Sequence, residues 1–187
     1  MNSKQQLIQY YQWLRQYGYN DSHSGNASIY DPDNDQIWVT PSGACADTLT
    51  SNELVAVNTN TTHKHKGSLD TPLHLAVYQK KPSARAVLHS HGAYSVAATL
   101  DGKDFVPVDF EGQYYFEKVP VITIPYNEYV AQAADAVSSM LADYPITVVR
   151  GHGVYATAEN LNLAYKWTCS FELSAKTWLL ARQAGTL

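Results

Sequence analysis

Two apolar runs in this chain end at histidines, and together they set what the fold has to bring together. Ala86-Val87-Leu88 leads into His89-Ser90-His91, and Ile146-Thr147-Val148-Val149 leads into Arg150-Gly151-His152-Gly153. Short apolar runs rich in β-branched residues read as buried strands. Residues i and i+2 of a strand point to the same face, so His89 and His91 can turn their rings to one point. The glycines flanking His152 allow unusual backbone angles and a close approach to a site. If the two strand ends meet, three imidazoles surround one ion and leave a position open, as in catalytic zinc sites. The plainer alternative is a pair of surface or capping histidines and a separate turn histidine. The remaining four read as ordinary: His23, His63 and His65 in loops, and His74 on a helix.

Strand and helix signals alternate around these runs. Apolar and aromatic residues recur at helical spacing over residues 7–17, and Gly18 suits a C-cap. Residues 27–30 and 36–40 read as a hairpin closed by Asp31-Pro32-Asp33-Asn34-Asp35, with Thr40-Pro41-Ser42-Gly43 as a further turn. Residues 54–57 suit a strand, followed by a polar stretch over 58–67. A helix is expected from about Asp70, with Thr71 as cap, Pro72 in its first turn, Leu73, Leu75 and Val77 facing the core, and Pro82 as its end. Then come a strand over 84–89, a helix over 92–100, a strand over 119–124 closed by Pro125, a helix over 128–141, a strand over 146–150 and a long closing helix over 161–184. Helices and hairpins around one sheet predict an α/β sandwich in helix-sheet-helix layers.

The chain has 187 residues, which suits a single domain spanning 1–187. Such a length buries enough surface to fold without a structural metal, so a metal site would serve chemistry. The net charge is −4 and the basic residues are scattered, which argues against a nucleic-acid binder. Two cysteines, Cys45 and Cys169, make no disulfide framework and suggest a reducing, cytoplasmic compartment. The polar N-terminus shows no secretory leader, and no apolar run approaches the roughly 18–20 residues of a membrane span.

Asp70 has two readings. An acidic residue at a helix N-terminus favours the macrodipole. Beside a metal it would instead be a fourth ligand or a general acid/base.

Five segments, in order along the chain, resemble those of one family. They are Ser24-Gly25-Asn26-Ala27-Ser28, Thr40-Pro41-Ser42-Gly43, Ser68-Leu69-Asp70-Thr71-Pro72-Leu73-His74, Val87-Leu88-His89-Ser90-His91 and Gly151-His152-Gly153. The chain resembles the class II aldolase/adducin family. The resemblance implies a three-layer α/β/α fold with a central, mainly antiparallel sheet, and a homotetramer with sites between subunits. It implies Zn2+ or another divalent ion on His89, His91 and His152, and makes Asp70 a catalytic residue. It places Gly25, Asn26, Gly43 and Ser68 in an anion pocket, and Glu111 as a second acid/base supplied across an interface. The implied activity is reversible retro-aldol cleavage of a small hydroxyketone, a sugar phosphate or a hydroxy-keto acid, through an enediolate. Epimerases, dehydratases and decarboxylases share the scaffold, as do adducin-like binding modules, which lose the metal ligands that this chain keeps. Two departures stand out. Leu69 replaces a serine of the anion pocket, and the longer tail that lends some members a tyrosine is missing, leaving Tyr114 or Tyr115 as substitutes.

Overall fold

The structure is a computed structural model that describes residues 2–61 and 66–187; His63 and His65 lie outside the described residues. Helix α1 (Ser3–Gln16) opens with a capping box from Asn2 and Gln5. It stops at Tyr17, and Gly18 beyond it takes φ +79°. Strands β1 (Asn26–Asp31), β2 (Gln36–Val39) and β3 (Val55–Val57) form a meander. Then come α2 (Thr71–Lys80), β4 (Ala86–Ser90), α3 (Ala93–Ala98), α4 (Phe110–Tyr115), β5 (Val121–Ile122), a 3-10 turn (Tyr126–Glu128), α5 (Tyr129–Asp143), β6 (Ile146–Val149), β7 (Gly153–Ala158) and α6 (Leu161–Ala184).

The seven strands form one sheet in the order β3-β2-β1-β4-β7-β6-β5. Every pairing is antiparallel except β5 with β6. Two elements depart from the sequence expectation. Residues 153–158 form a strand where none was expected, because Gly153 and the small residues Ala156 and Ala158 dilute its apolar pattern. The short helix α4 was also unforeseen; the Asp109 side chain caps it by accepting from the Gly112 N–H.

Strand alternation divides the sheet's faces. Val87, Val149 and Tyr155 pack with Leu73, Val77, Val137 and Leu141 beneath α2 and α5. Ala86 and Leu88 pack with Leu7, Tyr11, Leu161 and Ala164 beneath α1 and α6. Ile146, Val148, Val154 and Ala156 continue that second face against Phe171 and Ala175 of α6. The layering is α/β/α, as expected. Among the described residues no helix is long and apolar enough to cross a membrane.

Phe171 is fully buried against this second face and stacks edge-on with Phe105 at 5.3 Å. Phe171→Ala is expected to lower stability by about 3–5 kcal/mol in urea unfolding, as for large-to-small core changes generally. A loss under about 1 kcal/mol would mean the core collapses around the gap.

Candidate active site

The antiparallel register of β4 and β7 sets His89 opposite Tyr155, and the two rings stack at 3.9 Å. Between β6 and β7 the chain reverses through Gly151 at φ +69°, which carries His152 back over His89. Nε2 of His89 then lies 2.9 Å from Nε2 of His91 and 3.4 Å from Nε2 of His152. Nδ1 of His89 lies 3.0 Å from the Val154 carbonyl oxygen. A carbonyl only accepts, so Nδ1 carries the hydrogen and Nε2 of the neutral ring presents a lone pair to the cluster.

Burial keeps these rings neutral. It pushes His89 well below the usual 6.5, brings His91 down to about 4, and lowers His152. Nε2 of His89 therefore accepts, and with the hydrogens of His91 and His152 also on Nδ1 three Nε2 lone pairs would converge with nothing donated between them. A cation at their common point resolves the clash, and the three donor atoms lie within 4.8 Å of one another. The donor set therefore fits a divalent ion in a His₃ arrangement with an open position. The Nδ1–H bond to a backbone carbonyl is the support that metal-binding imidazoles commonly have. Gly153 makes room for the cluster: a Cβ there would come 2.5 Å from His91 Cδ2 and 2.8 Å from His89 Cε1.

Asp70 completes the centre. It precedes α2 as N-cap residue, yet its side chain makes no capping bond, and the first-turn hydroxyl of Thr71 donates to the Ser68 carbonyl rather than capping. The carboxylate turns to the sheet. Its Oδ2 accepts from Asn26 Nδ2 and Tyr155 Oη, both at 2.9 Å, and its Oδ1 accepts from Tyr129 Oη at 2.7 Å. Oδ2 stands 3.8 Å from His89 Nε2. Burial raises its pKa, but the donors Asn26 Nδ2 and Tyr129 Oη favour the charged form and hold it below the usual carboxylate range. Asp70 is a carboxylate at neutral pH.

A cavity of about 720 Å³ opens over this floor. Gly25, Asn26 and Ser68 line one side of it, together with His23, while Ile124, Tyr126, Tyr129 and Val130 line another. Gly25 takes φ +69°, and a Cβ there would come 2.5 Å from the His89 carbonyl oxygen, so the loop runs close behind the cluster. Gly43 lines a separate cleft with Pro41, Ser42 and Lys66. Its turn reaches the site at one remove, through the Ser68 N–H that donates to the Thr40 carbonyl. Glu111 is exposed on α4 and is not among the residues lining the cavity.

Tyr129 and Tyr155 were not anticipated. Tyr155 lies on the strand that the sequence reading missed, and Tyr129 stands beside a helix start with no motif around it. Of the tyrosines that were considered, Tyr114 is exposed and Tyr115 packs on Trp167.

Residues 5–179 match the Class II Aldolase and Adducin N-terminal domain. The chain belongs to this family. It is 28% identical to the methylthioribulose-1-phosphate dehydratase of Gluconobacter oxydans, over all of this chain and 93% of that one. It is 25% identical to the L-fuculose phosphate aldolase of Escherichia coli K12, over 87% of this chain and 75% of that one. The crystal structure of L-fuculose-1-phosphate aldolase from Thermus thermophilus superposes with a TM-score of 0.89 at 26% identity, covering 98% and 97% of the two chains. The protein is an enzyme of the class II aldolase type, a lyase of a metal-dependent family.

Gly153→Ala is expected to abolish metal uptake by displacing two of the three rings, with the circular dichroism spectrum little changed. Metal analysis after loading and desalting checks this, and full occupancy in the variant would count against the cluster.

Acid should weaken the metal-free fold. His74, fully buried, has its pKa pushed by burial from 6.5 to about 4. Below pH 6.5 the unfolded chain binds a proton that the folded chain refuses. This contribution is therefore complete above pH 6.5 and is lost as the pH falls toward 4. Urea midpoints of chelator-treated protein should decline over that range, by up to about 3 kcal/mol from His74 alone. A flat profile would contradict the burial of neutral histidine.

Proposed function

We propose that this chain catalyses reversible retro-aldol cleavage of a short hydroxyketone, a sugar phosphate or a related hydroxy-keto acid. The observation that carries the reading is a buried carboxylate, Asp70, 3.8 Å from a cluster of three neutral imidazoles at the floor of a cavity. His89, His91 and His152 would hold a divalent ion, zinc in our reading. Such an ion supplies Lewis-acid polarisation of the substrate carbonyl.

The chain's own groups do the rest. In the addition direction Asp70 enters as a carboxylate and takes the proton from the carbon beside the carbonyl, leaving an enediolate. That carbon then attacks the aldehyde, and the proton held by Asp70 passes to the new alkoxide, which leaves Asp70 ionised again. Cleavage is the reverse: ionised Asp70 takes up the hydroxyl proton, the carbon–carbon bond breaks, and Asp70 delivers that proton to the enediolate carbon. Tyr129 and Tyr155 hold Asp70 in place and stabilise its charged form. Gly25, Asn26 and Ser68 offer backbone and side-chain donors to an anionic group of the substrate.

We assign Glu111 the second acid/base role across the interface of a homotetramer. Its surroundings support this: Val106, Phe110 and Tyr114 are 62%, 86% and 77% exposed, an apolar surface suited to cover by another copy. Gly43 supports the anion pocket through the Thr40–Ser68 link. We place the enzyme in the cytoplasm, acting on small molecules without nucleic acid or membrane. A dehydratase is the second reading, because the dehydratase relative matches the whole of this chain.

The test is product analysis of metal-loaded protein on ketose 1-phosphates and their unphosphorylated forms. Two carbonyl fragments support cleavage. Loss of water with an intact carbon skeleton would replace it with dehydration. Asp70→Asn should keep the metal and lose roughly 10²–10⁴-fold in kcat. His91→Ala should lose both metal and turnover; retention of both would sink the metal assignment.

A further inference from the structure

Behind Asp70 runs a buried line of hydrogen bonds through Asn26 to His74, Ser28 and Tyr78, three residues to which the reaction above assigns no role. Asn26 and Ser28 lie two apart on β1, sharing the face that carries His89 across the register Asn26↔His89. His74 lies one turn into α2 after Asp70, on the same face of the helix. Its ring fills the gap between helix and strand. Nε2 lies 2.7 Å from Asn26 Oδ1 and Nδ1 lies 2.6 Å from Ser28 Oγ, which in turn lies 2.6 Å from Tyr78 Oη. The series ends with Asn26 Nδ2 donating to Asp70 Oδ2 at 2.9 Å. His74 and Ser28 have no exposed surface at all, and Asn26, Asp70 and Tyr78 have 6%, 6% and 4%.

Donor and acceptor roles follow from the carboxylate end. Ionised Asp70 only accepts, so the amide nitrogen of Asn26 must face it and Oδ1 must face His74. An amide oxygen only accepts, so His74 Nε2 carries a hydrogen. Burial keeps the ring neutral, so Nδ1 holds a lone pair and accepts from the Ser28 hydroxyl. The Ser28 oxygen then accepts from Tyr78. The opposite tautomer would set a nitrogen lone pair against Asn26 Oδ1.

We propose that His74 is a positioning residue: its Nε2–H fixes the Asn26 amide so that the NH₂ group, and never the oxygen, faces Asp70. With the amide reversed, Asp70 would lose one of its three donors and meet an oxygen instead. A neutral histidine suits this place because it donates on one side and accepts on the other, joining an acceptor-only oxygen to a hydroxyl.

Two substitutions separate positioning from packing. In His74→Gln the terminal amide reaches the Nε2 position and can still donate to Asn26. In His74→Asn the side chain stops at the level of Nδ1 and leaves Asn26 Oδ1 unpaired. Both variants remove the ring and should lower Tm similarly. Metal content should stay at the wild-type level in both, because His74 touches none of the three clustered histidines. His74→Asn should lose roughly tenfold or more in kcat with a smaller change in KM, and His74→Gln should recover most of that loss. Equal losses in the two variants, or no loss in His74→Asn, would overturn the assignment.

This kinetic arm rests on the proposed role of Asp70. A second arm does not. Nitrogen-15 spectra of histidine-labelled wild-type protein should show His74 as the neutral Nε2–H tautomer from pH 8 to pH 6. An Nδ1–H tautomer or an imidazolium there would overturn the inference whatever reaction the enzyme performs. Absence of cleavage by wild-type protein would instead count against the proposed function alone.

Discussion

A buried carboxylate beside the buried imidazole of His89 is the contact on which the rest of this structure depends. Asp70 is 6% exposed, and an anion so placed is tolerated only where donors surround it. Three donors from three elements do so: Asn26 from β1, Tyr129 from the start of α5 and Tyr155 from β7. The Asn26 and Tyr155 contacts join the helix layer to the sheet and the Tyr129 contact joins α2 to α5 within that layer, so the buried charge also fixes where the two helices sit on the sheet. The N-terminal ends of both helices meet the site, where their macrodipoles favour negative charge.

The histidine cluster is held by the sheet rather than by loops. His89 lies within β4, paired on one side with Asn26 and on the other with Tyr155. His91 follows directly, with its N–H donating to the Tyr19 carbonyl and to Asn20 Oδ1. Glu172 of α6 then accepts from the N–H groups of Tyr94 and Ser95, capping α3 across a long sequence distance. Rigid elements on both sides of the pair hold ligand atoms to the tolerance that metal binding requires. Gly153 leaves room for the rings of His89 and His91 where any side chain would collide.

What the sequence disclosed follows from what is periodic. The H-x-H pair was readable because strand alternation forces residues i and i+2 to one face, and His152 because glycines flank it. The sheet's edge strands and the closing helix α6 were readable for the same reason. Tyr155 was hidden because β7 begins at a glycine and carries alanines, which weakens an apolar run. Tyr129 was hidden because its role comes from where α5 starts, a tertiary fact. Asp70 was ambiguous: one residue type serves a helix cap and a metal-side base equally, and only the direction of its oxygens decides. Gly43 and Glu111 were named from the family resemblance, and the fold of one chain sets both outside the cavity.

His74 shows why a buried polar residue resists assignment from sequence. On α2 it stands between the apolar positions Leu73 and Leu75, so that it reads as a helix residue of no special kind. Its meaning emerges only with Asn26 and Ser28 beside it, because a histidine with neither charge nor exposure acts through its two nitrogens being different. One must donate and the other accept, and the carboxylate decides which. The polarity of that buried line thus starts at Asp70, so the proton state of this carboxylate and the tautomer of a histidine one helical turn away are parts of one arrangement.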